Sequence, residues 1–263
     1  MSLENCRLLL SKQKSYEFSF GSVIGTRESQ EDYFSVITSE RSIAACICDG
    51  MGGLDCGRAA SETSVRVFTD EITPVIDFCP NESPDYFLSF LDKMDHDVRR
   101  LKKPDGSRSR AGSTLIAVWI GGGAMNWLSV GDSSVYHVRS DRITRLNVYH
   151  NYQTSLDEQL SQGRIDRDQY RRESRKGHAL TSFIGIGGIK QFDAPPEPVP
   201  VLRNDVILLC SDGVTNNITS DELLSLCGGR SASGVVKNLF ALLSEKTEGR
   251  ASDNATAIVI RIK

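Results

Sequence analysis

The sequence predicts an α+β protein: two antiparallel β-sheets stacked as a sandwich and flanked by pairs of helices, four layers in all. Strand-like segments come in consecutive groups rather than alternating with helices, which argues against a parallel sheet. Two pairs of helical patterns separate and follow those groups. No linker, low-complexity tract or internal repeat divides the 263 residues, so residues 1–263 read as one domain with a small flap inserted at about 147–180.

The first strand group is 16–24, 33–38 and 42–48, rich in aromatic and β-branched residues with short polar turns between. A helix follows in which Val65, Phe68, Ile72 and Val75 recur at spacings of three and four, after the small-residue stretch 57–61. In the next helix Ser83 reads as the N-cap and Pro84 as the first helical residue. Phe87, Leu91, Met94, Val98 and Leu101 line its apolar face. Segments 114–120, 125–130 and 135–139, with a turn at Gly121-Gly122-Gly123, read as a meander. The charge-rich flap carries short helices near 156–162 and 167–172. Strands resume at 183–186 and 206–210. A helix opened by a capping box (Thr219, Glu222) and stopped at Gly228-Gly229 precedes another bearing Val236, Leu239, Phe240 and Leu243. The alternating strand 256–262 ends the chain. The proline cluster 194–200 reads as a loop or sheet edge.

With 39% hydrophobic and 25% charged residues, the chain has the make-up of an ordinary globular protein, and disorder is excluded. The 31 basic and 34 acidic residues leave a formal charge of -3, so no global basic field marks a nucleic-acid partner. Seven cysteines (6, 46, 48, 56, 79, 210, 227) include no C-x-x-C pair, and four sit in apolar runs. They read as buried free thiols in a reducing compartment. The only apolar patch near the N-terminus is Leu8-Leu9-Leu10, without a cleavage pattern, and no run is long enough to span a bilayer. A cytoplasmic protein without a membrane partner is expected.

The informative feature is where the acids fall. Asp49 follows the apolar run 43–48 and precedes Gly50. Asp212 follows 206–211 and precedes Gly213. Asp132 ends 127–131, Asp253 opens the last strand, and Glu31-Asp32 open the strand 33–38. In antiparallel sheets the end of one strand lies beside the start of its neighbour, so these acids can share one rim. Gathered there they repel one another and are costly to desolvate unless cations fill the site. The four histidines (96, 137, 150, 178) neighbour none of these acidic motifs, so the donors are oxygens, which select Mg²⁺ or Mn²⁺. A glycine after Asp49 and Asp212 allows close backbone approach and a carbonyl ligand. Two such ions suit hydrolysis of a phosphate ester, generating a hydroxide and clamping the displaced oxygens. Taken singly, each Asp-Gly is an ordinary turn and Glu31-Asp32 a solvated pair; the joint pattern carries the reading.

Seven segments in order resemble the protein phosphatase 2C family of metal-dependent serine/threonine phosphatases. They are Gly25-Thr26-Arg27-Glu28-Ser29-Gln30-Glu31-Asp32, Asp49-Gly50-Met51-Gly52-Gly53, Gly112-Ser113-Thr114, Gly131-Asp132-Ser133, Leu180-Thr181, Ser211-Asp212-Gly213-Val214-Thr215 and Ser252-Asp253-Asn254-Ala255-Thr256. The resemblance implies a β-sandwich flanked by helices and hydrolysis of phosphoserine or phosphothreonine by a metal-bridging hydroxide. It implies that Asp49, the Gly50 carbonyl, Asp212 and Asp253 bind two Mn²⁺ or Mg²⁺ ions, with Glu31 and Asp32 holding metal-bound waters or occasionally touching the metals. Asp132 matches the position that helps bind a third metal with Asp212. Arg27 would grip the substrate phosphate as a planar fork. Phosphoproteins, opposed by a serine/threonine kinase, are the implied partners.

Two positions depart from the pattern. Met51 stands where some members carry a histidine as leaving-group acid, which leaves a metal-bound water as the expected donor. Asn216 stands where Asp is frequent, removing a negative charge beside the third metal position. The competing reading is a phosphoprotein-binding module that keeps the fold without turnover. Asn216 is the one feature that favours it, while Arg27 and the four metal-binding positions argue against it. Runs of basic residues at 99–110 and 164–176 read as solvated faces, with an acidic-phosphopeptide docking surface as the alternative, the flap being the better placed of the two.

Overall fold

A computed structural model of the chain describes residues 11–12, 15–52, 56–78, 86–103 and 105–263. Leu8–Leu10, Gly53, Cys6, Cys79 and the expected cap at Ser83 and Pro84 lie outside the described residues.

Alternation of apolar side chains builds two six-stranded antiparallel sheets. The first has the order β1 (Ser11–Lys12), β2 (Tyr16–Val23), β12 (Ala255–Ile262), β11 (Val206–Cys210), β8 (Ser134–Arg139), β9 (Arg142–Arg145). The second runs β10 (Val199–Pro200), β7 (Ala124–Val130), β6 (Leu115–Gly121), β4 (Ser42–Met51), β3 (Asp32–Thr38), with β5 (Gly112–Ser113) paired to the end of β4. In β4, Ile43, Ala45 and Ile47 meet the facing sheet's Leu209, Ile258 and Ile260, while Ala44, Cys46 and Cys48 point into the helices outside. Both faces are covered, so residues 43–48 of the strand are apolar without interruption.

Over the second sheet lie α1 (Cys56–Ile72), α2 (Tyr86–Ser89) and α3 (Leu91–Arg99), through Phe68, Phe90, Met94 and Val98. Over the first lie α6 (Asp212–Thr215), α7 (Ser220–Cys227) and α8 (Ala232–Lys246), through Leu223, Val236, Leu239 and Phe240. The result is the expected order of helix, sheet, sheet, helix. The capping box forms in both directions: Thr219 N donates to Glu222 Oε2 at 2.8 Å and Glu222 N to Thr219 Oγ1 at 3.4 Å. In the segment expected as a flap, α4 (Tyr152–Ser161) and α5 (Arg167–Glu173) are capped by Asn151 and Asp166. A backbone bridge between Asn151 and Leu180 closes its base.

Four local expectations change. The meander breaks after β7: β8 crosses to the other sheet, because Gly131 (φ 101°) turns the chain out over the Thr114 side chain. Residues 183–186 form no strand. Only Ile184 pairs, with Ser113, before Gly185, Gly187 and Gly188 adopt positive φ. The small residues 57–61 lie inside α1 rather than before it; a side chain at Gly57 would come within 2.9 Å of the Gly50 backbone, so glycine lets the helix dock on β4. Asp49 sits within β4 rather than beyond it, because Gly50 and Met51 pair with Ser113 and Gly112. β9, short and largely exposed, had no periodic signal to announce it. The proline cluster does end as an edge strand, β10.

Candidate metal centre

β3 and β4 pair with Asp32 directly opposite Asp49. The Gly112-Ser113-Thr114 segment then fixes the Asp49 backbone: Asp49 N donates to Thr114 Oγ1 at 2.9 Å, and Thr114 N returns a bond to the Asp49 carbonyl at 2.8 Å. From the other sheet, β11 ends at Cys210 and Asp212 opens α6, immediately after Ser211. Ser211 Oγ donates to Asp32 Oδ2 at 2.7 Å, and so links the rims of the two sheets. Asp253 lies just before β12. Asp132 follows the Gly131 turn.

These residues meet in one cleft of about 300 Å³ lined by Arg27, Glu31, Asp49, Gly50, Asp132, Asp212 and Asp253, with Asp32 buried beneath it. The structure thus brings together all the acids singled out from the sequence. Arg27, with its side chain 54% exposed, donates to Asp253 Oδ2 at 2.6 Å and to the Ser252 carbonyl at 3.1 Å. Gly50 lies so close to the start of α1 that a side chain there would strike the Gly57 carbonyl.

The electrostatics are unfavourable without cations. Burial pushes the Asp49 carboxyl well above the ordinary carboxylate range, and the charges of Asp32, Asp212, Asp132 and Asp253 push the same way. Burial raises Asp132 to about 7, with Asp212 adding to it. Asp32 also rises to about 7 through burial, despite its bond from Ser211. Asp212 is raised by burial and by Asp253. Among the described residues the buried Oδ1 atoms of Asp32 and Asp212 have no hydrogen-bond partner, which is expensive unless something else satisfies them. Among the described residues no three acid, histidine or cysteine side chains already form a ligand cage, and Asp253 leans instead towards Arg27. An all-oxygen donor set with orphaned, mutually repelling carboxylates fits hard divalent cations.

Several supporting residues were given no role from the sequence, although Leu180 and Asn254 lie in the segments that carry the resemblance. His178 and Leu180 bring the flap base to the cleft wall, although nothing in the spacing of His178 links it to an acidic motif. Asn254, buried, donates to the carbonyls of Ile24 (2.9 Å) and Ser29 (3.1 Å) and accepts from Glu31 N at 2.7 Å, fixing the loop that carries Arg27 and Glu31. Asn216, the departure from the family pattern, donates to Asp212 Oδ2 at 3.1 Å. Asn151 hydrogen-bonds Asp132 and opposes the upward shift of its carboxyl.

Comparison with known proteins agrees with this geometry. The chain is 24% identical to the serine/threonine phosphatase stp of Listeria innocua over 238 residues, 89% of this chain and 90% of that protein. It is 26% identical to a putative protein phosphatase of Mycoplasma pneumoniae over 246 residues, 90% and 92% of the two chains. In fold it resembles the S. agalactiae serine/threonine phosphatase, with a TM-score of 0.78 at 22% identity over 94% of this chain and 100% of that one. It also resembles the catalytic domain of the phosphatase PstP in complex with 2 manganese ions, with a TM-score of 0.70 at 21% identity over 94% and 98%. The family model for protein phosphatase 2C matches residues 22–252. That match spans most of the chain and every acid of the rim except Asp253, which lies one residue beyond it, so the chain belongs to the protein phosphatase 2C family.

Proposed function

We propose that this chain is a metal-dependent protein serine/threonine phosphatase that hydrolyses phosphoserine and phosphothreonine in protein substrates. One observation carries the reading: acids from both sheets converge on a single cleft beside an arginine, with two of their oxygens unpartnered among the described residues. Asp49, the Gly50 carbonyl, Asp212 and Asp253 are assigned to a pair of Mn²⁺ or Mg²⁺ ions, and Asp132 with Asp212 to a third. Glu31 and Asp32 act from behind them through water. Bound there, such ions supply Lewis-acid neutralisation of the phosphate and lower the pKa of a water.

The protein's own part is placement. Thr114 and Ser113 fix Asp49 through its backbone. Asn254 fixes the Arg27 loop. Arg27 presents a planar guanidinium at the cleft, matched to the oxygens of a phosphate monoester. Met51 lines the cleft with a thioether and offers no proton to the departing serine or threonine oxygen. The reading includes residues 1–263 as one catalytic domain, with 147–180 as the flap. It places the protein in the cytoplasm, opposing a serine/threonine kinase. The five described cysteines, free and buried, fit a reducing compartment, and no helix among the described residues is long and apolar enough to cross a membrane.

The test is phosphate release from a phosphothreonine peptide. It should require Mn²⁺ or Mg²⁺ and stop with a chelator. Removing a group that only supports a metal ligand typically costs 10–100-fold; Asp212→Asn, which alters a ligand itself, should cost at least about 100-fold. Release that persists undiminished in the chelator, or in Asp212→Asn, would refute the assignment.

A further inference from the structure

Beside the acidic cleft lies a larger depression of opposite charge. A hollow of about 490 Å³ is lined by His96, Arg99, Arg100, Lys102 and Arg108. A second, of about 450 Å³, shares Arg99 and Arg108 and adds Arg110, Ala111 and Phe183. The second reaches the cleft wall. A Cβ on Gly52, a cleft residue, would sit 3.0 Å from Ala111 Cα, and one on Gly112 would sit 2.5 Å from the Phe183 ring and 2.9 Å from the Met51 methyl. The two hollows therefore form one groove leading away from the catalytic cleft.

The groove is built rather than incidental. The Arg99 guanidinium lies against the Gly187 backbone, where a Cβ would come within 2.7 Å of its Nη1. One helical turn earlier Asp95, buried, accepts from Gly185 N and Gly188 N at 2.7 Å each and from Gly187 N at 3.2 Å, pinning that glycine loop. The opposite bank is braced by backbone pairing: Lys102 bridges Arg108, Ser109 N donates to the Leu101 carbonyl at 3.0 Å, and Lys103 N to the Ser107 carbonyl at 2.9 Å.

The charge in the groove is also unspent. Arg99, Arg100, Lys102, Lys103, Arg108 and Arg110 are all exposed, and none forms an ion pair with a carboxylate among the described residues. The nearby acids are engaged elsewhere, Asp95 with backbone amides and Asp97 with Arg66, except Asp105, which accepts from the Ser107 amide and lies within reach of the Lys103 charge. In the flap two cations are engaged, Arg171 with Asp168 and Lys176 with Glu173. On a chain of net charge -3, such a local cationic strip is not a by-product of overall composition.

We propose that this groove docks an acidic stretch of the protein substrate flanking the phosphoresidue, reading its carboxylates or additional phosphates while the phosphoresidue occupies the cleft. The inference rests on the phosphatase reading for its substrate and on the groove alone for its chemistry. Two phosphothreonine peptides, identical except that the flanking glutamates of one are glutamines in the other, separate the possibilities. The acidic peptide should show a KM about 5–10-fold lower, the combined effect of a few exposed charge contacts, and the advantage should shrink with salt. Arg99→Gln with Arg108→Gln should abolish the preference while leaving hydrolysis of p-nitrophenyl phosphate unchanged. Arg99→Lys with Arg108→Lys should restore most of it. Arg108→Gln alone, on the exposed opposite bank, should weaken it even if the Arg99 variant fails to fold. Equal KM values for both peptides in the parent protein would overturn the proposal. So would a preference that survives the double glutamine variant, or that variant losing affinity for acidic-lipid vesicles while peptide preference is absent. If p-nitrophenyl phosphate is not hydrolysed at all, the phosphatase reading fails. Fluorescence anisotropy with the same peptides would still test the groove, tighter binding of the acidic peptide supporting it and equal binding refuting it.

Discussion

Asp132 shows in one side chain how the site is balanced. Burial and the charge of Asp212 raise its carboxyl to about 7, and Asp32 beneath the cleft rises to about 7 as well. In the unfolded chain both return to the ordinary value of 3.8. The metal-free folded protein therefore holds more protons than the unfolded chain between about pH 4 and 7, and its stability falls as pH rises through that window. Denaturant unfolding in the presence of a chelator should show this decline, and Asp132→Asn should flatten it. Saturating Mn²⁺ should reverse it, because ions require the ionised carboxylates. A metal-free protein with no such decline, or one whose pH profile Asp132→Asn leaves unchanged, would contradict the repulsion argued here. The placement of these acids was legible in the sequence because each adjoins an apolar run that must be a strand. Their helpers were not. Asn254 lies in a quoted segment, but its bonds to the 24–31 loop leave no local signal, and Asn151 and His178 lie outside every such segment.

At the scale of elements, the acidic rim depends on loops held by single residues. Asn254 joins three points of the 24–31 loop to the start of β12. Truncating it removes all three bonds at once. Asn254→Ala should destabilise the protein by about 2–3 kcal/mol and raise KM for a phosphopeptide by loosening Arg27; a change below about 0.5 kcal/mol, the scale of an ordinary surface substitution, would show that the loop is held by other means. Central strands and amphipathic helices were legible because burial on two faces leaves an unbroken apolar run and burial on one imprints a period. Failures fell where backbone geometry decides. The crossover after β7 turns on Gly131. The loop at 183–188 looks apolar enough for a strand, but Asp95 captures three of its amides. The small residues of α1 read as a spacer, although their smallness is what lets the helix meet β4.

For the whole molecule, stacking two antiparallel sheets sets the ends of β4 and β11 and the start of β12 side by side. The inter-sheet core of Ile43, Ile47, Leu209, Ile258 and Ile260 fixes that alignment, and burial of such side chains contributes about 1.5–3 kcal/mol each. The apolar framework thus stabilises a rim whose charges oppose folding until cations arrive. The most direct measurement is equilibrium dialysis of the chelator-treated protein against Mn²⁺, with Asp49→Asn and Asp212→Asn alongside. Retention of at least two ions per parent chain, with loss of bound metal in both variants, is the predicted result; a parent protein that retains no Mn²⁺, or variants that retain as much as it does, would contradict the account.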